Sequence, residues 1–82
     1  MQLKIKTFGV TRDILGNREV VFELNESKGS KVADLRAELN RRHPELIALK
    51  SLFVAVNQKY AEDESVLIET DEIALIPPVA GG

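Results

Sequence analysis

The first eight residues alternate between polar and apolar side chains, with Leu3, Ile5 and Thr7 on one face. A period of two is typical of a strand that buries one face, so we expect a strand from Gln2 to Phe8. The run EVVFEL at residues 19–24 is β-branched and aromatic with glutamates at its outer positions. It predicts a second strand, antiparallel to the first and separated from it by a loop.

A helical pattern follows the second strand. Val32, Leu35 and Leu39 recur at helical spacing behind Ser30, which is a residue type that caps helix N-termini. We therefore expect a helix from about Lys31 to Arg42. The pair His43-Pro44 should end it, because the residue before a proline is disfavoured in the α region.

The second half of the chain predicts three more strands. The run FVAV at residues 53–56 indicates a short buried strand, Tyr60-Ala61 a very short one, and Asp71 to Ile76 the last. Five strands with one principal helix predict an α+β fold in which one mixed sheet packs on that helix. We expect a β-grasp, or ubiquitin-like, domain over residues 1–76 and an extended tail over residues 77–82.

Composition excludes several classes of function. The chain has 82 residues, one histidine, no cysteine and a net charge of −2 with both signs mixed along it. We expect one small domain, no metal site and no electrostatic footprint for nucleic acid. No long apolar run is present, so we expect neither a signal peptide nor a membrane span, and a cytoplasmic protein is the default expectation.

The run IPPVAGG at residues 76–82 carries the candidate chemistry. Pro77 and Pro78 lack an N–H and fix φ, so the tail should leave the sheet as a stiff, extended segment. Gly81 and Gly82 have no Cβ and can pass through a narrow channel into a partner's active site. We expect the carboxylate of Gly82 to be the reactive group, and the alternative is a solvated spacer.

Taken together, these motifs resemble the small sulfur-carrier subunits of molybdopterin synthase, the MoaD type of the MoaD/ThiS ubiquitin-like family. The resemblance covers the whole chain. It rests on the strand ending in Phe8, on TRDILG at residues 11–16, on the turn VNQ at 56–58 and on DEIA at 71–74 leading into PPVAGG. Gly9 departs from the alanine expected in many relatives.

The resemblance implies a carrier and not an enzyme. An E1-like adenylyltransferase would activate Gly82 with ATP, and a sulfur donor would convert it to a thiocarboxylate. The large subunit of molybdopterin synthase, expected in a heterotetramer of two small and two large subunits, would then transfer the sulfur to cyclic pyranopterin monophosphate in molybdenum cofactor biosynthesis. This chain is expected to bind no cofactor, and the catalytic residues are expected on the partner.

Strand alternation also predicts a docking surface near the tail. Phe8 falls on the same face as Lys6, and Ile76 points outward if Leu75 points inward, so parallel first and last strands would bring Phe8 and Ile76 together. Exposed apolar residues beside a reactive terminus suit partner binding, whereas the alternative for Phe8 is that it covers a sheet edge. The expected partner-binding residues are Phe8, Arg12, Tyr60, Ile76, Pro77, Pro78, Val79, Ala80 and Gly81.

Three classes of function remain open from the sequence. The first is the sulfur carrier, and the second is a ubiquitin-like modifier that passes an activated Gly82 to a lysine amine. The third is an interaction module with an inert tail. A thiamin-type sulfur carrier is a rival within the first class, disfavoured by the longer loop after the first strand and by Pro77-Pro78.

Overall fold

The computed structural model describes residues 1–49 and 51–77. Their strands are β1 (Gln2–Thr7), β2 (Glu19–Glu23), β3 (Phe53–Val56), β4 (Lys59–Tyr60) and β5 (Glu72–Ile76). These strands form one mixed sheet in the order β2-β1-β5-β3-β4. β1 and β5 are parallel neighbours, and the other neighbouring pairs are antiparallel. This topology confirms the predicted α+β, β-grasp fold and the predicted pairing of the first and last strands.

The core lies between the inner face of the sheet and the main helix, α2 (Val32–Arg42). Alternate residues of β1 and β5 are completely buried there, and α2 adds three apolar side chains at helical spacing. Burying each leucine or isoleucine of this kind contributes about 1.5–3 kcal/mol. The opposite, outer face of the sheet points away from this core. The core residues from these three elements are Leu3, Ile5, Val32, Leu35, Leu39, Ile73 and Leu75.

The start of α2 corrects the predicted cap. Lys31 is the N-cap residue and not Ser30, and the N–H of Lys31 donates to Asp34 Oδ2 at 2.9 Å. The first two N–H groups of α2 donate to carbonyls of the loop at residues 63–65, at 2.9 and 3.0 Å. The local pattern assigned these helix donors to Ser30. They are instead satisfied through a tertiary contact with a segment about thirty residues further along the chain.

A six-residue helix, α1 (Val10–Leu15), occupies part of the segment that we predicted as a loop. Six residues span less than two turns, too few for a helical period to show in the sequence. Gly16 ends the helix in a left-handed conformation with φ 88°, and its N–H donates to the carbonyl of Arg12 at 2.8 Å. The prediction of a loop here was wrong.

The strand β3 is only partly buried, which corrects the prediction of a buried strand. Val54 and Ala55 are buried, but Phe53 is 49% exposed. The register pairs Val54 with the inward-facing Leu75 and pairs Phe53 with Ile76. Phe53 therefore lies on the outer face. Four consecutive apolar residues show no alternation, so the sequence did not reveal which of them face outward.

Candidate functional site

An apolar patch covers the outer face of the sheet from β5 to β4. Phe53 pairs with Ile76 and Tyr60 pairs with Ala55, which in turn pairs with Ala74. The rings of Phe53 and Tyr60 are tilted by 45°, with their centroids 5.3 Å apart. Tyr60 is 71% exposed and Phe53 is 49% exposed. We call Phe53, Ala55, Tyr60, Ala74 and Ile76 the outer patch.

Charged residues border the outer patch on its β1 side. Lys6 is the register partner of Ala74, and Lys6 Nζ lies 2.5 Å from Glu72 Oε1. The hydrogen bond and the charge of Glu72 raise the pKa of Lys6, so the ammonium is fully charged at neutral pH. Exposed aromatic residues beside a charged rim are typical of a surface that docks another protein.

Phe8 lies at the same end of the sheet as Ile76. Thr7 pairs with Leu75 in the parallel β1–β5 ladder, and Phe8 and Ile76 each follow directly in the sequence. Phe8 is 45% exposed, whereas Ile76 is half-buried. The structure thus brings together the three apolar residues that the sequence singled out, Phe8, Tyr60 and Ile76. That a partner binds them stays a prediction.

Two residues depart from the docking surface predicted from the sequence. Arg12 is exposed on α1 and does not belong to the outer patch. Phe53 does belong to it and was missed from the sequence, since its face depends on pairing with Ile76. An aromatic residue at the first position of a predicted strand was the available signal. Its place on the outer face follows only from the register of β3 and β5.

The base of the tail packs on the turn that follows β1. Gly9 in this turn has φ 54° and ψ −132°, a conformation that residues with a Cβ rarely adopt. A Cβ placed on Gly9 would lie 3.2 Å from Pro77 Cγ. The backbone conformation therefore favours glycine at this position, and a Cβ there would require the Pro77 ring to shift by a few tenths of an ångström. This contact gives a structural reason for the departure from alanine.

Thr11 ties the same turn to the end of β5. Its side chain is completely buried. The hydroxyl donates to the carbonyl of Phe8 at 2.6 Å and accepts from the N–H of Phe8 at 2.8 Å. The same oxygen lies 3.5 Å from the carbonyl oxygen of Leu75. We call Phe8, Gly9, Thr11 and Pro77 the tail clasp.

The described chain ends at Pro77, one residue into the predicted tail. The residues expected to carry and deliver the reactive group, Pro78, Val79, Ala80, Gly81 and Gly82, lie outside the described residues. Within residues 1–49 and 51–77, no helix is long and apolar enough to cross a membrane. The same residues place no group of three or more histidine, aspartate or glutamate side chains where they could hold a metal ion.

Comparison with known proteins links this geometry to one family. The family model described as the ThiS family matches residues 5–82. The molybdopterin synthase sulfur carrier subunit of Chlamydomonas reinhardtii is 38% identical over 85 residues, and the match covers 100% of both proteins. The matched region therefore spans the residues of the outer patch and of the predicted tail.

Solved structures share the fold over nearly the whole chain. A Pyrococcus furiosus protein, named as a candidate for subunit 1 of the molybdopterin converting factor, has a TM-score of 0.83 and 28% identity, covering 96% of this chain and 99% of its own. The small archaeal modifier protein 1 of Methanosarcina acetivorans has a TM-score of 0.77 and 25% identity, covering 99% of this chain and 96% of its own. These likenesses agree with the β-grasp topology.

Proposed function

Because the chain belongs to the ThiS family, we propose that it is a sulfur carrier that serves molybdopterin synthase. The observation that carries this proposal is the 38% identity, over the full length of both proteins, to a relative named as a molybdopterin synthase sulfur carrier subunit. Glycines at positions 81 and 82 and the prolines at 77 and 78 support it. The glycines provide an end without side chains, and the prolines restrict the backbone that precedes it.

The chemistry begins with the carboxylate of Gly82, which is resonance-stabilised and does not accept a sulfur nucleophile. An E1-like adenylyltransferase joins this carboxylate to the AMP portion of ATP and releases pyrophosphate. A sulfur donor then displaces AMP from the acyl carbon, which leaves a thiocarboxylate on Gly82. This is covalent group transfer in which the carrier is a co-substrate.

Sulfur transfer takes place in the large subunit of molybdopterin synthase. The tail enters its active site, and the thiocarboxylate sulfur attacks cyclic pyranopterin monophosphate as an oxygen substituent leaves. Water then hydrolyses the resulting thioester, which leaves the sulfur on the pterin and returns Gly82 to its carboxylate form. Two such transfers build the dithiolene of molybdopterin, in a heterotetramer of two small and two large subunits. The catalytic acids, bases and the ATP site belong to the partners, and we place the whole process in the cytoplasm.

The described residues support this role by joining a docking surface to the origin of the tail. The outer patch includes Ile76, and Pro77 follows it directly. A partner that binds Phe53 and Tyr60 therefore holds the chain within a few residues of its reactive end. Phe8 extends the surface at the same end of the sheet, and we assign Arg12 an accessory contact beside it.

A reconstituted synthase tests this function. The chain carrying a thiocarboxylate on Gly82 is mixed with the large subunit and cyclic pyranopterin monophosphate, and molybdopterin is detected as its fluorescent oxidation product. We expect product from the thiocarboxylated chain and none from the chain with an ordinary carboxylate. Equal yields from the two forms would contradict the proposal.

A second function is favoured by the likeness to the small archaeal modifier protein 1 of Methanosarcina acetivorans. In that role the activated Gly82 forms an isopeptide bond with a lysine of a target protein. Mass spectrometry of digested cell proteins distinguishes the two functions. No lysine or arginine follows Lys59, so trypsin leaves residues 60–82 attached to a modified lysine. Such remnants, if they vanish when this chain is removed, would indicate a modifier, and their absence would favour the carrier alone.

A further inference from the structure

We propose that the tail clasp is a positioning device, in which Thr11 and Gly9 fix the place and direction in which Pro77 leaves the sheet. This inference rests on the proposed function, since it concerns how the reactive end is delivered to the activating partner. It assigns a role to Thr11 and Gly9, two residues that belong neither to the outer patch nor to the predicted reactive end. They act through the backbone of Phe8 and through Pro77.

Thr11 is completely buried although its side chain carries a hydroxyl. A hydroxyl removed from water costs free energy unless it is hydrogen-bonded, so an apolar residue would suit a purely packing role better. Both close hydrogen bonds of Thr11 instead go to the backbone of Phe8, at 2.6 and 2.8 Å. They hold the turn closed between the end of β1 and the start of α1. The 3.5 Å approach to the Leu75 carbonyl oxygen places this hydroxyl beside β5 as well.

Gly9 and Pro77 lie in close contact at the base of the tail. Closing the turn presents Gly9 as a surface without a side chain, and the Pro77 ring lies against it so closely that a Cβ would stand 3.2 Å from Cγ. Proline already has a fixed φ. Because a proline follows, the ψ of Pro77 is biased towards the extended region. The contact with Gly9 restrains the placement of the Pro77 ring relative to the domain.

A change in direction at Pro77 produces a larger displacement several residues further along the chain. Five residues follow Pro77, and a segment of that length spans at most about 18 Å. A rotation of about 10° at its base moves the far end of a fully extended segment by about 3 Å. A misplacement of about 1 Å at a reacting group costs as much as 100-fold in rate. A restraint on Pro77 is thus expected to affect the rate at which Gly82 reacts.

The test compares Thr11→Val with Thr7→Val. Thr7 is equally buried, and its hydroxyl donates to the carbonyl of Asn17, a residue that follows α1 in the sequence. Both variants lose a buried hydroxyl bonded to backbone, but only Thr11→Val opens the tail clasp. The rate of ATP–pyrophosphate exchange by the adenylyltransferase is measured as a function of the concentration of the chain, at a temperature well below the melting temperature of each variant. These rates give kcat and KM.

We expect Thr11→Val to lower kcat about tenfold while KM changes less than twofold, because the outer patch still binds. Thr11→Ser keeps the hydroxyl and should restore kcat to within about twofold of the original chain. Thr7→Val should leave both constants within about twofold despite a similar fall in melting temperature. Equal kcat values for Thr7→Val and Thr11→Val, or a Thr11→Val effect confined to KM, would overturn the proposal.

A direct measurement of the contact keeps the inference separate from the proposed function. Nuclear Overhauser contacts between the Gly9 α-protons and the Pro77 ring should be present in the original chain and in Thr7→Val, and weakened in Thr11→Val. Retention of these contacts in Thr11→Val would overturn the tail clasp. If the original chain supports no pyrophosphate exchange, the carrier function fails while the contact measurement still decides the clasp. Should Thr11→Val not fold, Gly9→Ala replaces it, with Gly16→Ala as its control.

Discussion

Phe53 and Ile76 are direct partners across the antiparallel β3–β5 pair, so an exposed aromatic ring lies beside the last strand residue before Pro77. The outer patch and the origin of the tail are therefore parts of one sheet. We propose that docking on the outer patch sets where the tail begins and that the tail clasp sets the direction in which it leaves. In this proposal the two features together deliver the end of the chain to a partner.

Replacing Phe53 by aspartate should weaken partner binding more than stability. A charge among the outer patch residues should raise the Kd for the large subunit at least tenfold, since buried aromatic anchors dominate interfaces. The free energy of unfolding should fall by less than about 1 kcal/mol because the side chain is half exposed. Phe8→Asp and Ile76→Asp are expected to act in the same direction. Titration calorimetry and urea denaturation give the two quantities.

The control for this prediction is Ile47→Asp. Ile47 is 66% exposed and lies in the 3₁₀ helix Pro44–Ala48, outside the outer patch. It should leave the Kd unchanged. A similar loss of affinity in Ile47→Asp and Phe53→Asp would show that the aspartate acts by charge alone. A loss of folding in Phe53→Asp with unchanged affinity would show that Phe53 is a core residue.

Deleting Gly82 should abolish activation without unfolding the domain. The described core is complete within residues 3–75, and a terminal residue contributes little to it. We expect pyrophosphate exchange to disappear while the melting temperature stays within about 2 °C, a shift smaller than that expected from a loss of 1 kcal/mol. Full activity in the deleted chain would rule out Gly82 as the reactive residue.

Gly9→Ala should destabilise the chain more than Gly16→Ala. Both glycines have positive φ, 54° and 88°, but a Cβ on Gly9 meets Pro77 whereas a Cβ on Gly16 has nothing within 4 Å. We expect a loss of about 1–3 kcal/mol for Gly9→Ala, plus the cost of displacing Pro77, and a loss of roughly 1 kcal/mol for Gly16→Ala. Chemical denaturation measures both. Equal losses would show that Pro77 yields without cost.

The stability of the chain should fall in acid through Glu38. Hydrogen bonds from Arg41, and then from Arg42, lower the pKa of Glu38 from 4.5 to about 2. Because the pKa is lower in the folded chain than in the unfolded chain, the stabilisation is complete above pH 4.5 and is lost as the pH falls towards 2. Glu38→Gln should therefore lose less stability over this interval. Parallel pH profiles for the two chains would contradict the assignment.

The elements that the sequence predicted correctly are those whose period is long enough to be seen. β1 alternates over six residues and α2 repeats over eleven, and both were placed within one or two residues. The helix α1 is six residues long and falls below that limit. Short elements are set by what packs on them, and here the buried Thr11 and its bonds to Phe8 decide the conformation.

The location of the exposed apolar residues was predicted in part for the same reason, whereas their binding of a partner stays a prediction. Phe8 and Ile76 were singled out by the alternation of β1 and β5, and Tyr60 by its place just after the turn at residues 56–58. Phe53 and the Gly9–Pro77 contact were missed, since both arise from residues brought together by β3–β5 and β1–β5 pairing. The helix cap at Lys31 depends likewise on carbonyls from residues 63–65. Local patterns carry no information about such partners until the register is known.

The central claim is that sulfur is carried on Gly82. It is tested most directly by the intact mass of the chain after incubation with ATP, a sulfide source and its adenylyltransferase, followed by fragmentation to locate any change. The account predicts that one oxygen of the terminal carboxylate is replaced by sulfur, and that the increment maps to Gly82 and not to an oxidised Met1. An unchanged Gly82, with the same enzyme active on another carrier, would contradict it.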